Sequence, residues 1–132
     1  MTQGKKILVV DDEPQLALAV KIRLQSRGYE VVIAHDGQQG LELLEREQPD
    51  LVILDVLMPV MDGYSCLREI NARVGRGTLP IIMLTARDRM KDLFELEGIE
   101  DYVIKPFDHE DLLMRIDRAL KRRAEPRAPG PS

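Results

Sequence analysis

The chain has a single cysteine, Cys66, among its 132 residues. An internal disulfide is therefore excluded, and the usage fits a reducing compartment. Cys66 itself reads as a small buried hydrophobe. No apolar stretch approaches the ~18–20 residues of a membrane span. Residues 1–6 lead straight into an apolar run without the hydrophobic segment of a secretory leader. A cytoplasmic protein is expected. The net charge is only −4, with both signs interspersed, so there is no basic excess to suggest a nucleic-acid surface. Solenoid-type repeats are absent. What remains is one domain with an ordinary apolar content of 44%, long enough for a real core.

Short apolar runs begin near Ile7, Val31, Leu51, Ile81 and Tyr102. None alternates, as expected of strands covered on both faces. Segments of helical period lie between them. Residues 13–27 carry Leu16, Val20 and Leu24 on one face, with Pro14 in the first turn and Gly28 as a stop. A second helix follows the Asp36-Gly37 turn, holds Leu41 and Leu44, and ends before Pro49. A third occupies 64–74, with Leu67 and Ile70, and closes at Gly75. A fourth is expected over 88–97, with Met90, Leu93 and Phe94, and a fifth over 108–123, with Leu112, Ile116, Ala119 and Leu120. Alternating strands and helices argue for an α/β fold, a parallel sheet with helices on both faces. Residues 124–132, rich in proline, read as a disordered tail or linker stub. Lys121, Arg122 and Arg123 precede it and suit the negative end of a helix dipole.

Five polar residues stand at the far ends of the apolar runs: Asp11 and Asp12, Asp55, Thr85, and Lys105. In a parallel α/β sheet ligands bind outside the carboxyl ends of the strands, so these residues should converge. Two unit charges ~4 Å apart repel by roughly 4 kcal/mol at an effective dielectric of ~20. Three carboxylates in one cleft therefore call for a cation. Hard oxygen ligands without histidine or cysteine indicate Mg²⁺ or Mn²⁺. Asp12 and Asp55 would be direct ligands, and Asp11 direct or through water. Asp55 is the best nucleophile, because a carboxylate needs no deprotonation and can form an aspartyl phosphate. Lys105 would supply a second positive charge, and the Thr85 hydroxyl a hydrogen bond to a phosphoryl oxygen. Each residue also has a plainer role in isolation: helix caps for Asp11-Asp12 and Thr85, an exposed lysine for Lys105. Their shared position at strand ends favours the chemical reading.

The pairs and runs Asp11-Asp12, Asp55-Val56-Leu57-Met58-Pro59-Val60-Met61-Asp62-Gly63, Thr85-Ala86 and Lys105-Pro106-Phe107 resemble the signature of the receiver domain of two-component response regulators. The resemblance covers residues 5–123. It implies a flavodoxin-like, doubly wound, five-stranded parallel sheet of order 2-1-3-4-5 with five helices. It further implies that Asp55 takes a phosphoryl group from the phosphohistidine of a sensor histidine kinase or a phosphotransfer protein. Mg²⁺ would be held by Asp11, Asp12, Asp55 and the backbone carbonyl of Leu57. The bond before Pro106 is often cis in the family. Thr85 and Tyr102 would form the switch, with Thr85 moving to the phosphoryl group and Tyr102 turning inward behind it. The face built from the fourth helix, fifth strand and fifth helix would carry the change to an output partner of unknown type. The resemblance also allows a homodimer through that face. The domain itself would bind neither nucleic acid nor membrane, and would act as a regulatory phosphoacceptor rather than an enzyme on other substrates.

The sequence departs from the family pattern between Thr85 and Lys105, a stretch shorter than usual, with Gly98-Ile99-Glu100-Asp101-Tyr102 ahead of the last strand. The fourth helix is expected to be shortened or shifted. Leu57 and Arg87 should flank the path of hydrolytic water, and apolar Leu57 cannot orient it, so slow self-dephosphorylation is expected. His35 and His109 read as surface residues, and Met58 and Met61 as turn and core packing. Gly40 stands where a helix former would be expected. Leu18 and Ile22 lie off the core face of the first helix. An aspartyl-phosphate hydrolase of the dehalogenase type would place its nucleophile on the first strand, and a flavodoxin would need a phosphate-cradling loop there instead of acids. A non-phosphorylated pseudo-receiver would not need all five chemical positions filled.

Overall fold

A computed structural model describes residues 4–56, 58, 60–75, 78–86 and 98–124. In chain order the elements are β1 (Lys6–Val10), α1 (Pro14–Ser26), β2 (Glu30–Ala34), α2 (Gly37–Glu47), β3 (Leu51–Asp55), α3 (Gly63–Val74), β4 (Ile81–Ala86), β5 (Asp101–Lys105) and α4 (His109–Ala124). The strands form one parallel sheet of order β2-β1-β3-β4-β5. This is the flavodoxin-like arrangement expected from the resemblance, with four helices among the described residues. The helix expected over 88–97 and most of the tail, 125–132, lie outside them.

The apolar runs fail to alternate because each face of the sheet has its own core. Ile7, Val9, Ile53, Ile82, Leu84 and Val103 point to one face and pack with Ala17, Val20 and Leu24 of α1 and Leu112, Ile116 and Leu120 of α4. Leu8, Val10, Val52, Leu54 and Met83 point to the other and pack with Leu41, Leu44, Cys66, Leu67 and Ile70 of α2 and α3. Successive strand side chains alternate between faces, so a sheet covered twice must be apolar throughout. The expectation of full burial holds for β1, β3 and β4 but is corrected at the edges. β2 and β5 are partly exposed, because each has a neighbouring strand on one side only.

Helix ends follow local chemistry. Asp36 caps α2 by accepting from Gln39 N–H at 2.8 Å, and Asp62 caps α3 by accepting from Ser65 N–H at 2.8 Å. Asp108 Oδ1 accepts from Glu110 N–H at 2.9 Å at the start of α4. Pro14 opens α1, while the side chain of Glu13 just before it makes no capping bond. Gly40 has a packing reason. A β-carbon there would meet Val10 Cγ2 at 3.1 Å, so the missing side chain lets α2 lie close on β1. On α1, the buried stripe is Ala17, Val20 and Leu24, with Leu16 only partly covered. Leu18 and Ile22 are exposed, as expected.

Candidate functional site

The register of the sheet brings the strand-end residues together. Val10 pairs with Leu54, and Asp55 with Leu84. Thr85 is therefore one residue beyond the partner of Asp55, and Ala86 pairs with Lys105. Parallel neighbours in register end at the same edge, so residues from four separate segments share one cleft.

Asp11 and Asp55 are almost fully buried there, at 1% and 4% exposure, while Asp12 stands at the rim. One carboxylate oxygen from each of the three lies within 4.8 Å of the others. Lys105 Nζ is 3.2 Å from Asp55 Oδ2 and 3.4 Å from Asp11 Oδ2. It also donates to Glu13 Oε1 at 3.0 Å. The plain reading of Lys105 as an exposed lysine is thereby overturned. Asp11 Oδ1 accepts from Glu13 N–H at 2.9 Å, whereas Asp11 Oδ2 is buried with no hydrogen-bond donor among the described residues. Its contact with Lys105 is an ion pair without hydrogen-bond alignment.

The electrostatics follow from this crowding. Burial, then the neighbouring charge of Asp11, pushes the Asp55 carboxyl up to about 7 despite Lys105. Burial likewise raises Asp11 above its ordinary range, against the pull of Glu13 N–H and Lys105. Burial alone would depress Lys105, but the charges of Asp55 and Asp11 outweigh it and hold the ammonium protonated. Among the described residues one ammonium faces three clustered carboxylates, and the buried Asp11 Oδ2 accepts no hydrogen bond. An all-oxygen site with uncompensated negative charge fits a hard divalent cation.

Thr85 is buried at 1% exposure, and its hydroxyl donates to the carbonyl of Ala86 at 3.2 Å. Tyr102, opposite Met83 in the register, is half-buried against the α2/α3 side of the core. Arg115 of α4 donates to its carbonyl at 3.3 Å and to Asp101 Oδ1 at 2.7 Å, tying the edge strand to that helix. The Lys105–Pro106 peptide is cis, as expected. Two further residues expected to act here, Leu57 through its carbonyl and Arg87, lie outside the described residues. His35 is exposed, with Nδ1 3.4 Å from the Asp11 carbonyl oxygen, and Cys66 is buried. Among the described residues no helix is long and apolar enough to cross a membrane.

Sequence reasoning overlooked two contributors. Glu13 binds Lys105 across the cleft, and its only sequence signal is that it extends the acidic pair to Asp11-Asp12-Glu13. Gly63 lies directly over Asp55 and Val56, so that a β-carbon would overlap the Asp55 carbonyl oxygen. Its place in an Asp-Gly turn concealed that close approach.

A family model described as the response regulator receiver domain matches residues 7–117. The protein named "Probable transcriptional regulator ycf27" of Cyanophora paradoxa is 47% identical over 123 residues, which cover 92% of this chain and 50% of that protein. Its namesake in Guillardia theta is 44% identical over 120 residues, covering 89% and 46%. The chain spans about half the length of these curated relatives. Among solved structures, the receiver domain of Francisella response regulator 1452 is 31% identical with a TM-score of 0.83, covering 91% of this chain and 99% of that one. The Vibrio cholerae chemotaxis protein CheY4 is 32% identical with a TM-score of 0.78, covering 87% and 98%. The chain is a receiver domain of the two-component response regulator family.

Proposed function

We propose that this domain is a phosphorylation switch in which Asp55 is the phosphoacceptor. The observation that carries the reading is the placement of Lys105 Nζ 3.2 Å from Asp55 Oδ2 inside a buried cluster of acids. An Asp55 oxygen attacks the phosphorus of a phosphohistidine on a sensor histidine kinase or phosphotransfer protein. The new P–O bond forms as the P–N bond breaks, and the departing electron pair returns to the imidazole. Such transfers depend mainly on positioning and on stabilising charge. Lys105 offers protons to the phosphoryl oxygens, and the Thr85 hydroxyl turns from the Ala86 carbonyl to bond another. Mg²⁺, held by Asp11, Asp12, Asp55 and the Leu57 carbonyl, supplies the charge compensation that the cluster lacks; Mn²⁺ suits the same ligands.

The readout follows from packing. Thr85 and Ile104 are register partners on adjacent strands, with Tyr102 two residues before Ile104 on the edge strand. A displaced Thr85 side chain opens room into which the Tyr102 ring can turn, and its polar tip tolerates either position. The phosphoryl group need only bias an existing equilibrium by about 1–3 kcal/mol. The β5–α4 face, with whatever 88–97 adds, then meets an output partner or a second copy. The ycf27 relatives carry the name of transcriptional regulators and are about twice as long, so transcriptional control through a segment or partner beyond these residues is the proposed output. The domain itself contacts neither DNA nor membrane and works in the cytoplasm. With an apolar Leu57 two residues after Asp55, its own dephosphorylation is slow.

Intact mass after incubation with acetyl phosphate tests the reading. A single phosphoryl adduct that requires Mg²⁺ and is missing in Asp55→Asn is expected. A folded, metal-supplied protein that gains no adduct would instead be a pseudo-receiver acting through binding alone.

A further inference from the structure

Lys105 has three ammonium protons and three carboxylates around it. Its shortest contact does not go to either buried acid. It goes to Glu13 Oε1 at 3.0 Å, while Asp55 Oδ2 and Asp11 Oδ2 stand at 3.2 and 3.4 Å. Glu13 is outside the three-acid cluster that would hold the metal, and its side chain is 60% exposed against 22% for Lys105. A structural role does not account for it. Glu13 occupies the N-cap position of α1, yet its side chain makes no capping bond there. Its backbone N–H, bonded to Asp11 Oδ1 at 2.9 Å, fixes where the side chain begins and leaves the carboxylate free to reach across to β5.

We propose that Glu13 is a positioning residue that competes with the phosphoryl group for Lys105, and so lowers the occupancy of the phosphorylated state. The inference rests on Asp55 being the phosphoacceptor. A phosphoryl group on Asp55 adds negative oxygens that need the Lys105 protons. Any proton held by Glu13 must be released first, and the carboxylate left behind repels the newcomer. Because Glu13 is at the rim, the effect is modest and screened by solvent. It sets how readily the switch is thrown without taking part in bond making.

The test is a titration of the full chain with beryllofluoride, a mimic of an acyl phosphate, at saturating Mg²⁺, followed by NMR. Wild type, Glu13→Gln and Glu13→Asp are compared, with thermal unfolding as the folding control. Glu13→Gln keeps the shape, removes the charge, and is expected to bind beryllofluoride about two- to fivefold more tightly. Glu13→Asp keeps the charge but loses the reach to Lys105, and is expected to shift in the same direction as Gln. Equal or weaker binding by Glu13→Gln overturns the proposal. So does an Asp variant identical to wild type beside a tighter Gln variant, since that pattern assigns the effect to through-space repulsion rather than the Lys105 bond. A wild-type protein that does not respond to beryllofluoride at all overturns the phosphoacceptor reading, and this inference with it.

Discussion

Gly63 and Asp55 touch through backbone alone: the first residue of α3 sits against the carbonyl of the residue that ends β3, and Gly63 N–H donates to Val56 O at 2.8 Å. The start of α3 is thus pinned to the strand that presents the acceptor carboxylate. No side chain fits in the gap.

Gly63→Ala should therefore cost stability by overpacking, by about 2–4 kcal/mol. Urea unfolding of the purified domain measures it. A loss under ~0.5 kcal/mol, the usual range for an unremarkable surface change, would mean that the contact can relax.

The raised Asp55 carboxyl makes the metal-free fold pH-sensitive. The folded protein holds this proton more tightly than the unfolded chain does. Stability from this group is therefore fully present below the ordinary 3.8 and is lost as pH rises through about 7. Asp11 shifts in the same direction. In chelator at pH 8, Asp55→Asn should melt above wild type by about 3–10 °C, with the gap narrowing at pH 5. Mg²⁺ should raise the wild-type melting temperature at pH 8 and do little for the variant. A variant that melts below wild type at pH 8 would show that Lys105 already compensates the cluster.

Cys66 is buried between α2, α3 and the sheet, with Sγ 3.8 Å from the Gly37 carbonyl. Burial pushes its thiol up to about 12, so almost no thiolate exists at pH 8. Reaction with a thiol reagent should be negligible in the native protein and rapid in denaturant. Fast native labelling would show that α3 opens readily.

Val60 has φ of +70° and is 77% exposed. A β-branched residue is strained in that region, and this one gains no packing in return. Val60→Gly should stabilise the domain by about 1 kcal/mol, after the entropy cost of glycine is set against the strain relieved. Denaturant midpoints at unchanged slope would measure it, and a destabilised variant would contradict the strain.

Much of this architecture was legible in the chain. Apolar runs of strand length, each closing on a polar residue, specify buried parallel strands and collect Asp11, Asp12, Asp55, Thr85 and Lys105 at one edge. That inference needs only periodicity and the geometry of parallel sheets. The burial of Cys66 and the turn at Asp36-Gly37 ahead of α2 are local in the same sense. Three things were not local. The exposure of β2 and β5 depends on strand order, since edge and central strands can share one composition. The role of Gly40 depends on how closely α2 approaches Val10, a distance that no residue pattern encodes. The partnership of Glu13 with Lys105 joins residues 92 positions apart and depends on where the start of α1 meets the end of β5. Which segments are strands and which polar residues stand at their ends could be read from the chain alone, because hydrophobic period and strand direction are properties of short segments. How the charges share one ammonium was settled by the fold, because that depends on distances between segments that sequence order does not contain.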